Sequence, residues 1–167
     1  MSYSMREASE DDVPFIESLF QLPRIAEFLN EPGRGAILGL IEDPQAEVYV
    51  IEDDGSEAGY FTLHNRDWLV ELGVLAVKAP RRGAGRFAMQ WGVAYAFEEC
   101  KAHRVFIEIR EDNEPARKLC EGLGFKAEGL YRDGFRDART GEYKNLIPYG
   151  MLRDDIQPAT GHVNQGR

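Results

Sequence analysis

The period of hydrophobic and polar positions changes along the chain, and each change marks an element. A short run at Tyr3 to Glu7 predicts a strand. Ser9-Glu-Asp-Asp12 follows, a capping-box pattern opening a helix through about Phe20. Residues 22–42 predict helix in two pieces, broken by Asn30-Glu-Pro-Gly33. Glu47 to Glu52 and Ala58 to His64, joined by the turn Asp53-Asp-Gly-Ser56, predict a hairpin. Trp68 to Val77 is a long apolar strand, expected to be covered on both faces. Phe87 to Cys100 is apolar almost all round, as suits a helix packed on a sheet, with Gly92 permitting close approach. Val105, Ile107 and Ile109 alternate with Phe106, Glu108 and Arg110, the period of a strand. Asp112 or Asn113 then caps a helix with Pro115 in its first turn, ending at Gly122-Leu-Gly124. Phe125 to Arg132 and Tyr143 to Leu152 predict a final strand pair. Pro148 has no N–H for a ladder, so a bulge or an open edge is expected there. The whole reads as a mixed α/β sheet in one domain over 1–156, with a small, polar tail at 157–167 expected to fray.

Composition narrows the range of partners. The 167 residues carry 20 basic and 29 acidic side chains, a formal charge of -9. That field repels phosphate backbones and anionic lipid, against nucleic-acid or membrane binding, and attracts a cationic substrate such as an amine. The two cysteines, Cys100 and Cys120, form no C-x-x-C and no Cys/His cluster, so no metal site is expected. The N-terminal residues lack a signal-peptide pattern, and the apolar run from Phe87 to Phe97 is interrupted by Gln90 and too short to span a membrane. The expected location is cytoplasmic, with both thiols reduced.

Candidate chemistry starts at Leu75-Ala-Val-Lys-Ala-Pro-Arg-Arg-Gly-Ala-Gly-Arg86. A strand ends, a loop with two glycines and three arginines follows, and a helix begins. First-turn amides lack intrahelical partners, and the helix dipole adds positive charge there. Glycines let an anion approach the backbone, so phosphate or pyrophosphate is a natural occupant. The plainer alternative is a helix start with solvated arginines. A side chain at Gly83 is expected to obstruct the ligand more than the fold. The loop lacks Gly-x-x-x-x-Gly-Lys-Ser/Thr. It also departs from Gly-x-Gly-x-x-Gly at Ala88, a permitted variant, but its strand is central and late, without the acidic ribose ligand of a dinucleotide fold.

Two later motifs sharpen this. Asn113-Glu-Pro-Ala-Arg-Lys-Leu-Cys-Glu-Gly-Leu-Gly-Phe125 and Gly141-Glu-Tyr-Lys-Asn-Leu-Ile147 follow the loop in order, with Glu128-Gly129 and Arg132 between them. Together, residues 71–152 resemble the GNAT superfamily of acetyl-CoA-dependent N-acetyltransferases, in the branch of ribosomal-protein N-terminal and spermidine acetyltransferases. The first motif matches the family's Asn-x-x-Ala-x-x-Leu-Tyr-x-x-x-Gly-Phe, except that Cys120 replaces the tyrosine that usually serves as general acid. Pro80 stands where many members have Gln or Arg. The N-terminal half is compatible but unspecific.

The resemblance implies a central, mostly antiparallel sheet flanked by helices, and direct attack of an amine on the acetyl thioester in a ternary complex. It implies acetyl-CoA as co-substrate, without a metal, and a small cationic amine or a peptide N-terminus as acceptor. Family members often form homodimers. The backbone of Leu75, Ala76 and Val77 would pair with the pantetheine. The amides of Gly83, Ala84, Gly85 and Arg86, with the Arg82 side chain, would hold the pyrophosphate. Asn113 would touch the pantetheine arm or simply cap its helix, and Arg117 would reach the arm or the phosphates. Glu108 and Glu71 are the candidate bases, each alternatively a solvated carboxylate. Cys120 is either a substitute acid or a buried packing thiol. Two other readings remain open, a non-catalytic acyl-CoA binder and an acyltransferase for longer chains.

Overall fold

The computed structural model describes residues 2–156, so the expected frayed tail at 157–167 lies outside the described residues. Strand β1 (Tyr3–Glu7) leads through a single 3-10 turn (Glu10–Asp12) into α1 (Val13–Phe20). The Ser9 amide donates to Asp12 Oδ2 at 2.7 Å, while Arg6 grips the same carboxylate at 3.0 and 2.9 Å. That pairing holds the Asp12 carboxyl below its ordinary range. Next come α2 (Pro23–Ala26) and α3 (Arg34–Glu42), the two pieces expected from the Asn30–Gly33 interruption. Strands β2 (Ala46–Asp53), β3 (Ser56–Arg66) and β4 (Leu69–Val77) form a meander, and α4 (Ala84–Glu98) crosses back over it to β5 (Arg104–Arg110). The chain then forms α5 (Glu114–Gly122), β6 (Lys126–Ala127), β7 (Tyr131–Arg136) and β8 (Tyr143–Leu152).

The eight strands among the described residues share one sheet in the order β1-β2-β3-β4-β5-β8-β6, with β7 also paired to β8. Among the described residues only β4 and β5 run parallel, and every other pair is antiparallel. The mixed, mostly antiparallel sheet with flanking helices is the one expected. One face packs against α4 and α5 through Phe61, Leu72, Met89, Phe97, Ile107 and Tyr149. The other is covered by α1 to α3 through Ile16, Leu19, Ile37, Val48 and Tyr60. No helix among the described residues is long and apolar enough to cross a membrane.

Two expected boundaries are corrected. Helix α4 starts at Ala84, not Phe87, because Gly83 caps it in the left-handed region at φ 97°. The strand expected over Phe125–Arg132 is split into β6 and β7, with Glu128–Leu130 outside both. Pro148 explains the split. It sits opposite Glu108 with no register shift in the β5 ladder, so it makes no bulge. Its carbonyl accepts from the Glu128 amide at 2.8 Å, so its proton-less nitrogen also faces the β6–β7 side, where pairing breaks.

Helical glycines separate packing from propensity. A Cβ on Gly92 would lie 2.7 Å from the Phe61 ring, whereas one on Gly39, inside α3, would meet nothing within 4 Å. We expect Gly39→Ala to stabilise by about 0.5–1 kcal/mol, and Gly92→Ala to destabilise by about 1–3 kcal/mol less that propensity gain. Urea unfolding of the two variants checks the opposite signs.

Candidate active site

The site begins with a fault in β4. Leu63 pairs with Leu72 and Phe61 with Leu75, so Gly73 and Val74 together face Thr62, a β-bulge. The Thr62 hydroxyl accepts the Val74 amide at 2.8 Å, and a Cβ on Gly73 would sit 2.3 Å from that oxygen. Glycine at 73 makes the bulge possible. The parallel pairing of β4 with β5 runs only through Leu69↔Arg104, Val70↔Val105 and Glu71↔Phe106. Beyond the bulge the two strands splay apart.

The bulge also shifts side-chain parity, so Leu75 and Val77 pack toward α4 while Val74 and Ala76 face α1 to α3. Backbone direction follows from the β3 ladder. Lys78 donates to the Ala58 carbonyl at 2.7 Å, which by alternation turns Ala76 toward β3 and Leu75 and Val77 toward the splay. The expected open run of Leu75, Ala76 and Val77 is thus corrected, since Ala76 is spent on β3. The Val77 carbonyl is taken as well, with that of Lys78, by the Arg24 guanidinium from α2. Both Leu75 backbone groups and the Val77 amide remain turned to the splay.

At the end of β4 the chain enters the glycine loop. Arg81 (φ 60°) and Gly83 (φ 97°) are both left-handed, and the Tyr3 hydroxyl pins the loop by donating to the Arg82 carbonyl at 2.6 Å. A side chain at Gly83 is therefore strained whatever the ligand, so a cost to the fold stands beside the expected obstruction of the ligand. The first intrahelical bond runs from the Phe87 amide to the Gly83 carbonyl at 2.9 Å. The amides of Ala84, Gly85 and Arg86 thus lie in the first turn without intrahelical acceptors. Arg82 and Arg86 are exposed, and neither belongs to an ion pair among the described residues. A helix start with two uncommitted arginines suits an anion.

Both candidate bases stand at the apex of the splay, on the face away from α4. Glu71 pairs with Phe106 in register and is held by Arg66 at 2.9 Å. Glu108, two residues along β5, is solvent-exposed and has no ion pair among the described residues. Its carboxyl is raised, first by loss of hydration and then by the Glu71 charge, with Arg66 opposing.

The α5 motif divides. Asn113 is the helix cap, its Oδ1 accepting the Ala116 amide at 3.3 Å. Leu119 lies beside Gly85, Leu75 and Val77 sites, since a Cβ on Gly85 would contact all three at 3.9–4.0 Å. Arg117 points to the other flank, donating to the Tyr149 hydroxyl at 3.2 Å and the Glu111 carbonyl at 3.0 Å. Its expected reach to the pantetheine arm or phosphates is corrected accordingly. Cys120 is 1% exposed within the core that includes Val105, Phe125 and Met151. Burial, then the Glu121 charge, pushes its thiol up to about 12.

Sequence reading passed over Arg24, Arg110 and Asn30. Arg110 shares a face with Glu108 by strand period, and a basic residue at an inward position beside Asp112 was the available signal. Its side chain is only 6% exposed.

Comparison with known proteins gives the family and the fold. The profile of the Acetyltransferase (GNAT) family matches residues 6–125. The chain belongs to that family. A Bacillus subtilis (strain 168) protein, YdaF, whose name proposes a ribosomal N-acetyltransferase, is 35% identical over 104 residues. The aligned stretch covers 60% of this chain and 56% of that relative. Among solved structures, the Vibrio cholerae spermidine N-acetyltransferase in complex with CoA and spermine superposes with a TM-score of 0.78 at 22% identity, covering 92% of this chain and 96% of that one. RimL, a ribosomal alpha-N-protein acetyltransferase in complex with coenzyme A, gives 0.79 at 19%, covering 93% and 96%. At such identities the two structures speak for the fold.

The raised Glu108 carboxyl sets a pH dependence. Because folding favours its protonated form, the associated stability is full below the unfolded pKa, about 4.3, and is lost as pH rises through the folded value. Glu108→Gln is therefore expected to gain on the wild type in Tm between pH 4 and 7. In Glu71→Gln the Glu108 carboxyl should titrate lower, since a like charge is gone and Arg66 is released. Carboxyl carbon NMR titration reads that shift directly.

Proposed function

We propose that this protein moves an acetyl group from acetyl-CoA to a primary amine, with Glu108 as general base and Glu71 beside it. The observation that carries the reading is the splay itself. It connects a helix start suited to an anion, on one side of the sheet, with a raised carboxylate on the other. The residues fit the co-substrate. Amides of Ala84, Gly85 and Arg86, with the Arg82 and Arg86 side chains, would hold the pyrophosphate, and Leu75 with the Val77 amide would pair with the amides of the pantetheine arm. Bound there, acetyl-CoA supplies an acetyl group already activated as a thioester. Glu108 then needs only to take the ammonium proton, a role its raised carboxyl favours over an ordinary glutamate.

The acceptor class is a small cationic amine or a peptide N-terminus, in keeping with the names of the relatives and with the acidic charge of the chain. Cys120 is read as a packing residue. A thiol raised to about 12 is a weaker acid than the coenzyme thiol it would have to protonate, near 8.5 for an ordinary thiol. A departing thiolate is stable enough to leave without an acid. The absence of the family's tyrosine also favours a second reading, an acyl-CoA binder without turnover. Free-thiol release from acetyl-CoA with an amine panel separates them, because a binder shows affinity and no thiol.

Arg82→Ala with Arg86→Ala is expected to weaken acetyl-CoA binding by about 10²–10⁴-fold, at roughly 1.5–3 kcal/mol for each charge-assisted contact. Calorimetry should show little change for a phosphate-free pantetheine fragment; equal weakening for both ligands would remove the arginines from the phosphate site. Cys120→Ala is expected to keep saturating kcat within about threefold while losing about 1 kcal/mol of stability. A hundredfold fall in kcat, with loss of the alkaline limb between pH 6 and 10, would make Cys120 the acid instead.

A further inference from the structure

The segment Pro23–Asn30 crosses the open end of the splay and is fastened on both sides of it. On the β4 side, Arg24 binds the Val77 and Lys78 carbonyls. On the β5 side, Arg110 donates to the Glu27 carbonyl at 2.8 Å. Its guanidinium lies between two rings, 5.3 Å from the Phe28 centroid and 5.2 Å from that of Phe135 in β7. Asp112 receives it through both oxygens at 3.0 and 2.7 Å, and Asp137 lies 3.6 Å away. Asn30 completes the fastening. Its Nδ2 donates to the Arg136 carbonyl and its Oδ1 accepts the Ala138 amide, both at 2.9 Å.

These contacts turn a V-shaped gap into a closed window. The apex is the Glu71–Phe106 pair, the sides are the diverging ends of β4 and β5, and the base is the segment Pro23–Asn30. Arg110 stands on the same face of β5 as Glu108, two residues nearer the base. Its planar, always-charged head can bond one carbonyl, grip a carboxylate with two parallel bonds and stack on rings at once, which a lysine cannot do. We propose that Arg110 is a positioning residue, which with Asn30 holds Pro23–Asn30 as a strap that sets the width of this window and so binds the chain of the acceptor amine beside Glu108. This rests on the acetyl-transfer reading above. A window of fixed width takes an amine whose carbon still carries a hydrogen, as in spermidine or a peptide N-terminus, and resists one on a fully substituted carbon.

The test compares wild type, Asn30→Ala, Arg110→Lys and Arg110→Met, with spermidine, an alanine-initiated tetrapeptide and tert-butylamine as acceptors. Asn30 is exposed, so Asn30→Ala keeps the test open if Arg110→Met fails to fold. In Asn30→Ala and Arg110→Lys, amide exchange should rise together at 23–30 and 135–138 while β2 and β3 stay protected. The KM for spermidine or the peptide should rise tenfold or more, with kcat and the acetyl-CoA KM within about twofold, and discrimination against tert-butylamine should fall. Arg110→Lys should lie between wild type and Arg110→Met. Raised exchange with an unchanged amine KM, or amine and acetyl-CoA KM rising equally, would reduce the strap to a structural brace and overturn the proposal. A wild type that binds acetyl-CoA but acetylates none of the three amines would instead overturn the transfer reading on which it rests.

Discussion

The structure depends on a single mismatch of one residue between β3 and β4. Two residues of β4 occupy the space of one on β3, and the Thr62 hydroxyl replaces the backbone carbonyl that the Val74 amide would otherwise meet. Everything distinctive about the site follows. The bulge bends β4 away from β5, exchanges the faces to which its side chains point, and ends the parallel ladder after three pairs. A regular β4 would have continued that ladder, and the carboxylates at its end would have shared a closed sheet with no passage between the two layers of helix.

Charge is distributed to match this geometry. The chain carries nine more acidic than basic groups, yet the loop at 81–86 gathers three arginines beside a helix start. Most other arginines near the sheet are neutralised locally, Arg6 by Asp12 and Glu52, Arg104 by Glu128, and Arg110 by Asp112. The positive corner is thus isolated in a negative surface. Such a field draws an anion to one place and a cation to the rest, and salt would weaken both attractions.

Sequence period was sufficient for most elements, because each strand and helix has one strongly buried face. Val105, Ile107 and Ile109 revealed β5, and Asn113 with Pro115 revealed the start of α5. What escaped is set by tertiary geometry. Nothing local distinguishes Gly73 as a bulge, because the atom it accommodates belongs to Thr62 on another strand. The parity change then hid which of Leu75, Ala76 and Val77 face the opening. Helix α4 starts early because Gly83 is left-handed, a backbone state that composition permits without requiring. Arg117 was legible as a helical arginine, but its direction depends on Tyr149, thirty-two residues away. The loop, by contrast, is readable from residue type and spacing alone, whereas Glu71 and Glu108 are candidates only through the family resemblance.

Tyr3 joins β1 to the glycine loop. Its ring lies 5.6 Å from that of Phe87, and its hydroxyl holds the Arg82 carbonyl. It does so from β1, which among the described residues is an edge strand paired with β2 alone. An edge strand, bonded on one side, opens more readily than an interior one. The order of the loop at 81–83 is therefore lent to it by a strand some eighty residues earlier in the chain. Loosening β1 would therefore be felt at the glycine loop, because it is the Tyr3 hydroxyl that holds the Arg82 carbonyl.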